Sequence, residues 1–284
     1  MIILNTIEET RRWLSSRRAE GKTIGFVPTM GALHHGHLQL IRRSCKENDI
    51  TGCSIFVNPI QFNNPEDLAK YPRTLEDDVA MLEKEACDLV FVPSVEEMYP
   101  EPVREKYDFG DLENVMEGKY RPGHFNGVAV VVKKLLDIFE PDKAYFGEKD
   151  FQQLRIIQAL VKMEKMPVEI VPCPTIREND GLAMSSRNRR LSPEDRIIAA
   201  EIYRTLQLAK ELAKTRTVAE VRDISAARLA DKGFRVDYFE IANSGTLQPA
   251  LSCEEAPGVI ACVAAFLGKV RLIDNMILFP TFAG

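Results

Sequence analysis

The chain has 284 residues, of which 45% are hydrophobic and 28% charged, and its formal net charge is -5. That length suffices for one large domain or two modest ones with their own cores. The mildly acidic balance excludes a general attraction for nucleic acid or an anionic membrane, while local phosphate sites stay open. Six scattered cysteines, Cys45, Cys53, Cys87, Cys173, Cys253 and Cys262, include no C-x-x-C pair. They read as reduced thiols rather than a disulfide framework or a zinc site. Residues 1–18 carry Glu8, Glu9 and several arginines and fit neither a signal nor a transit peptide. No apolar run is long enough to span a bilayer, so a cytoplasmic protein without membrane partners is expected.

In chain order, Thr6–Arg18 reads as a helix and Thr23–Val27 as a buried strand bounded by Gly21 and Pro28. A loop follows, then a helix from about His37 to Glu47 with Leu38, Leu40 and Ile41 inward, and a strand over Thr51–Val57. Thr74–Glu85 reads as a helix burying Val79 and Leu82, Asp88–Val92 as a strand, and Asn126–Phe139 as a strongly apolar helix. Ala144–Phe146 is a strand, Asp150–Met163 a helix and Val168–Val171 a strand. Strands alternating with helices imply parallel β-α-β units, and near-continuous apolar strands imply cover on both faces. The expected fold is α/β, a Rossmann-like parallel sheet with helices on both faces. Such sheets bind ligands at the carboxyl ends of their strands.

The texture changes near Ile176. Arg177–Arg190 is polar and loop-like, and Ser192-Pro193 marks a helix start for a helix running to about Lys214. A helix over Thr217–Lys232 and strands over Val236–Ala242, Val259–Phe266 and Val270–Ile273 follow, with Gly268-Lys269 as a tight turn. The expected organisation is a nucleotide- and substrate-binding domain over 1–175 and a smaller C-terminal α+β lid domain over 176–284.

The most informative stretch is Pro28-Thr29-Met30-Gly31-Ala32-Leu33-His34-His35-Gly36-His37, between a strand and a helix. It holds three of the four histidines. His34 and His37 share a face at a helix start, beside orphan backbone N–H groups and the positive end of the helix dipole. That combination suits a phosphate under attack. A metal site or a chance histidine run is the alternative, but a metal would also recruit a carboxylate or thiolate, and none lies in this loop.

Gly147-Glu148-Lys149-Asp150 again joins a strand to a helix. Lys149 is a point charge suited to phosphate oxygen, and Asp150 is alternatively a plain helix cap. Met184-Ser185-Ser186-Arg187-Asn188 offers two hydroxyls and a guanidinium that can close over phosphates, or is an ordinary solvated linker. Gln61 and Gln153 follow strand ends, and neutral amides there can hold an acid without a tight ion pair; as isolated residues they are surface glutamines. In Arg121-Pro122-Gly123-His124-Phe125, His124 reads as a structural hydrogen-bonder.

These stretches, in this order and spacing, resemble the pantothenate synthetase family over nearly the whole chain. His34-His35-Gly36-His37 is also similar to the HxGH signature of a wider nucleotidyltransferase superfamily, and Met184–Arg187 to its second, KMSKS-type loop. The resemblance implies an ATP-dependent ligase. It would adenylate pantoate, release pyrophosphate, and let the amine of β-alanine take the acyl group to give pantothenate and AMP, with Mg2+ accompanying ATP. It also implies that Met30, Gly31, Ala32, Leu33, His34, His35, Gly36 and His37 contact ATP, with His35 at a variable position. Gly147, Glu148, Lys149, Asp150, Ile176, Met184, Ser185, Ser186 and Arg187 would complete the ATP site. Gln61 and Gln153 would hold pantoate, with Gln61 also touching β-alanine. His37, His34 and Lys149 would be the catalytic residues, no metal would be held by the chain itself, and a homodimer is implied. A nucleotidyltransferase acting on a phosphate acceptor and a silent nucleotide-binding scaffold are the competing readings. The paired glutamines stand against the first, and the intact histidines with Lys149 against the second.

Overall fold

The computed structural model describes residues 1–280. In chain order its strands are β1 (Ile2–Leu4), β2 (Ile24–Thr29), β3 (Ile50–Ile55), β4 (Leu89–Phe91), β5 (Lys143–Gly147), β6 (Glu169–Cys173), β7 (Arg235–Asn243), β8 (Gly258–Leu267) and β9 (Val270–Pro280). Its helices are α1 (Ile7–Ala19), α2 (His35–Glu47), α3 (Pro65–Ala69), α4 (Leu75–Lys84), α5 (Val95–Met98), α6 (Met116–Tyr120), α7 (His124–Phe139), α8 (Phe151–Met163), α9 (Pro193–Ala199), α10 (Glu201–Leu212) and α11 (Val218–Asp231). Two compact units result. The first comprises Met1–Phe109, Arg121–Glu148 and Gln153–Pro174; the second comprises Gly110–Tyr120, Lys149–Gln152 and Thr175–Gly284.

In the first unit six parallel strands run in the order β1-β4-β3-β2-β5-β6. Alternate strand side chains face opposite sides. Val27, Cys53, Val90, Tyr145 and Val171 pack with Leu40 and Ile41 of α2 and Leu82 of α4. The other side meets α7, whose Phe139 stacks on Phe26 at 3.9 Å between centroids and meets Phe91 edge-on at 6.1 Å. Gly52 makes room there, since a Cβ on it would fall 2.5 Å from the Phe139 ring. A fully buried Phe of this kind is worth ~1.5–3 kcal/mol.

The order matters for ligand binding. The chain winds one way from β2 through β3 to β4 and the other way from β2 to β5 and β6, so the switch point lies between β2 and β5. Pairing of these two strands is recorded as far as Phe26 opposite Ala144, while β2 runs on to Thr29 and β5 to Gly147. The sheet therefore opens at its carboxyl edge, and the loops after Thr29 and Gly147 flank the opening.

The second unit has an antiparallel sheet, β7-β8-β9. Leu206 and Ala209 of α10 and Val221 and Leu229 of α11 pack on Phe239, Ile241, Val263 and Leu272. Tyr238, Ile260, Cys262 and Ala264 form a second cluster with Met116 of α6, with Phe151 packed against it.

Several expectations change. β1 was not anticipated. α2 begins at His35 rather than His37, β2 continues through Pro28 to Thr29, and β9 extends well past Ile273. The helix expected from Ser192 to Lys214 breaks between Ala199 and Glu201, at two alanines that are 0% and 1% exposed. Their small side chains let consecutive residues enter the core. On α4 the buried positions are Asp78 and Leu82, and Val79 is half-buried. Arg177–Arg190 is not plain loop. Arg177 bridges Ala183, and Ser186–Arg190 forms a 3-10 turn. All six cysteines are free, as expected. Positions 281–284 of the expected second domain lie outside the described residues.

Candidate active site

His34 is the N-cap of α2, and His37 is the third residue of the helix. The Gly36 amide donates to His34 Nδ1 at 3.1 Å, and the His34 amide donates to His37 Nδ1 at 3.3 Å, so two histidines form a reciprocal capping box. Their rings lie 4.0 Å apart between centroids. An imidazole that accepts at Nδ1 carries its proton at Nε2, so this hydrogen-bond arrangement leaves Nε2 as the donor of each ring. Two adjacent Nε2–H donors at the positive end of a helix dipole suit an anionic oxygen whose charge grows during reaction.

The loop ahead of them is held from the side by Asp78, 1% exposed on α4. Its carboxylate accepts from the Ala32 and Leu33 amides at 2.8 Å each and from the Thr74 hydroxyl at 3.2 Å. Gly31 and Ala32 take left-handed backbone conformations, φ 75° and 50°, and the twin bonds from Asp78 fix that turn. The Gly31 amide donates to Thr29 Oγ1 at 3.2 Å. The amides of Gly31, Ala32, Leu33, His34 and Gly36 thus all have side-chain acceptors. Ala32 and Leu33 are 0% exposed and enter the core. The loop presents imidazole edges rather than a row of open amides. His35 is exposed, its Nε2 3.5 Å from Arg42 Nη1.

Gln61 sits in a 3-10 turn after β3 and is buried. Its Oε1 accepts from Asn58 Nδ2 at 3.0 Å, and its Nε2 lies 3.2 Å from Met30 Sδ. Asn58 also donates to the Gly127 carbonyl at 3.1 Å and accepts from the Tyr99 hydroxyl at 2.9 Å. Burial pushes the Tyr99 phenol up, which keeps it a donor. His124 Nδ1 meets the Gln61 carbonyl at 2.9 Å, the structural role read from the sequence. Gly127 lets α7 approach, because a Cβ there would lie 2.5 Å from the Ile60 carbonyl oxygen. Asp78, Asn58, Tyr99 and Gly127 were assigned no site role from the sequence.

In the first unit Gly147 ends β5, Glu148 begins the 3-10 turn that follows, and Gln153 is half-buried in the first turn of α8. Its neighbour Gln152 belongs to the second unit and is tied to the 110–120 segment. It accepts from the Glu117 amide at 2.9 Å and donates to the Leu112 and Val115 carbonyls at 2.7 and 2.9 Å.

Lys149 and Asp150 fall in the second unit, the ammonium 3.3 Å from the Asp150 carboxylate. The Met184 amide donates to the Ile176 carbonyl at 2.9 Å, so two predicted residues are direct neighbours at the root of the 177–183 hairpin. Ser185 caps the next turn, its hydroxyl accepting from the Arg187 amide at 3.3 Å, and Ser186 is buried. The predicted set is thus divided. The first unit holds Met30 to His37, Gln61, Gly147, Glu148 and Gln153; the second holds Lys149, Asp150, Ile176 and Met184 to Arg187.

An open parallel sheet with a histidine-capped helix at its switch point, joined to an α+β unit, defines a Rossmann-like α/β enzyme. The family model for pantoate-beta-alanine ligase matches residues 2–277. A pantothenate synthetase of Bacteroides thetaiotaomicron is 50% identical over 277 residues, covering 97% of this chain and 98% of the relative. A pantothenate synthetase of Porphyromonas gingivalis is 51% identical, covering 97% and 99%. Among solved structures, the pantothenate synthetase of Thermus thermophilus superposes with a TM-score of 0.92 at 44% identity, covering 99% and 100%. The pantoate-beta-alanine ligase of Francisella tularensis, solved with beta-gamma ATP and beta-alanine, gives 0.79 at 37% identity, covering 98% of each chain. The chain belongs to the pantoate-beta-alanine ligase family and is an ATP-dependent ligase of that type. No helix among the described residues is long and apolar enough to cross a membrane.

Proposed function

We propose that this chain condenses pantoate with β-alanine in two steps through a pantoyl adenylate. A pantoate carboxylate oxygen attacks the α-phosphorus of ATP, and the bond to pyrophosphate breaks. The β-alanine nitrogen then attacks the acyl carbon, AMP leaves with the bonding pair, and the nitrogen loses a proton. Both steps demand positioning and charge neutralisation more than covalent help.

The observation that carries this reading is the pair of adjacent imidazoles at the open switch point, each accepting a backbone amide at Nδ1. His34 and His37 stabilise the charge that builds on the α-phosphate. Met30 to His37, Gly147 to Asp150, Ile176 and Met184 to Arg187 make up the ATP-binding set, with Lys149 as the neutralising cation. Gln61 and Gln153 hold pantoate, and Gln61 touches β-alanine. In domain terms 1–175 binds nucleotide and pantoate, and 176–284 serves as the lid.

Among the described residues no three His, Cys, Asp or Glu side chains cluster as a metal cage. A Mg2+ accompanying ATP would be held chiefly by the phosphates, the usual arrangement for this ion beside at most one or two carboxylates. It would neutralise the triphosphate. The family resemblance further supports a homodimer in the cytoplasm, and sedimentation of the purified chain tests the dimer.

The deciding assay is exchange of labelled pyrophosphate into ATP without β-alanine, run across a panel of small hydroxy acids. Exchange should require pantoate. Absence of exchange with pantoate, or equal exchange with every acid, would overturn the adenylate mechanism or the substrate.

A further inference from the structure

Two neighbouring residues of β9 hold the two nucleotide segments of the second unit. Asp274, its side chain 2% exposed, takes a bidentate pair from Arg177, with Nη1 at 2.6 Å and Nη2 at 3.0 Å. Arg177 also donates to the Gly181 and Asn275 carbonyls at 3.1 and 3.2 Å and lies over the Tyr203 ring, 4.5 Å from its centroid. Its guanidinium is therefore held through both Nη atoms and against the Tyr203 ring, and with it the hairpin that leads into Met184–Arg187. The next residue, Asn275, donates from its own amide to Asp274 Oδ1 at 2.8 Å and from Nδ2 to the Lys149 carbonyl at 2.9 Å. A backbone carbonyl only accepts, so the Asn275 side chain must present its NH2 group. The Lys149–Gln152 segment groups with the second unit although it lies between β5 and most of α8 in sequence.

We propose that Asn275 is a positioning residue for Lys149. Its bond to the Lys149 carbonyl sets the turn from which the ammonium projects, and Asp274, clasping Arg177, registers the Met184–Arg187 segment to the same strand. Lys149 and that segment are then carried as one rigid piece. A flexible four-carbon side chain finds its phosphate quickly only when its root is fixed. This inference rests on the role given to Lys149 above and would not survive without it.

A double-mutant cycle in the pyrophosphate exchange assay tests it. Lys149→Ala alone should lower exchange by about a hundredfold. Asn275→Ala should lower the exchange rate by about tenfold, with KM for pantoate unchanged, since pantoate is assigned to groups of the first unit. The double variant should be no slower than Lys149→Ala, because a residue acting through Lys149 has nothing left to position. A purely structural role would multiply with Lys149→Ala instead, and that result would overturn the proposal, as would wild-type exchange in Asn275→Ala. Wild-type exchange in Lys149→Ala would instead remove the underlying role of Lys149. Thermal midpoints are measured for each variant. Should Asn275→Ala not fold, Asn275→Leu, which keeps the volume and removes the donor, takes its place in the same cycle with the same outcomes.

Discussion

Gln61 Nε2 lies 3.2 Å from the thioether sulfur of Met30. The contact ties the loop after β2 to the loop after β3, two strands that pair along their full length. A sulfur is a weak acceptor, so this N–H can redirect its hydrogen bond to a carboxylate at little cost. Gln61→Glu replaces the donor with a charge that repels an acid substrate. Its KM for pantoate should rise by about tenfold or more, measured by steady-state kinetics with pantoate varied. An unchanged KM would place pantoate elsewhere.

The two roles of His34 can be separated. It caps α2 through Nδ1 and is assigned to ATP through Nε2. Asn is among the preferred N-cap residues, whereas Ala forfeits about 1 kcal/mol. His34→Asn should keep the thermal midpoint close to wild type yet lower turnover by about a hundredfold. His34→Ala should lose both. If His34→Asn retains full turnover, the Nε2 donor is not part of the reaction.

Asp78 touches neither imidazole in the contacts described, yet it shapes the loop that leads to them. Removing its carboxylate strips two buried amides of their acceptor, at about 1–3 kcal/mol for each. Asp78→Ala should therefore show a markedly lower denaturation midpoint and slower turnover. Asp78→Asn, which keeps one acceptor, should fall between it and wild type. Equal stability of all three proteins would mean that the Gly31–Ala32 turn needs no such anchor.

Gly127 reverses the ordinary helix rule. Alanine normally stabilises a helix interior relative to glycine by about 1 kcal/mol. Here the added methyl would meet the Ile60 carbonyl oxygen at 2.5 Å and Gln61 Cα at 2.8 Å. Gly127→Ala should destabilise by about 1–3 kcal/mol and raise KM for pantoate by displacing Gln61. Urea denaturation and kinetics together check both effects, and a stabilised variant would contradict the close approach.

Acid should act partly through Glu47. Arg43, followed by Tyr145 and Lys143, holds its carboxyl down from 4.5 to about 2. A folded-state value below the unfolded one gives stability that is complete above the ordinary carboxylate range and fades as pH falls through the folded value. The gap in thermal midpoint between wild type and Glu47→Gln should hold at neutral pH and narrow as pH drops from about 4.5 to about 2. A gap that stays constant across that window would show the charge to be idle.

Local features are legible in the order of the residues. Alternating apolar strands and helices were legible because each signal spans only a few residues. The Thr6, Ser192 and Thr217 caps all accept from the amide three residues on. The histidine stretch and the glutamines stood out for the same reason. Tertiary structure alone decided which distant groups meet. β1 is three residues long and is stabilised by pairing with β4, with α1, β2, α2, β3, α3 and α4 between them in sequence. Asp78, one acid among several on α4, becomes an anchor only because Ala32 and Leu33 arrive beside it. Asn275 meets Lys149 from the far end of the chain. Short-range propensity is written in neighbouring side chains, whereas a hydrogen bond between remote segments exists only after the chain has packed, so no window of sequence contains it.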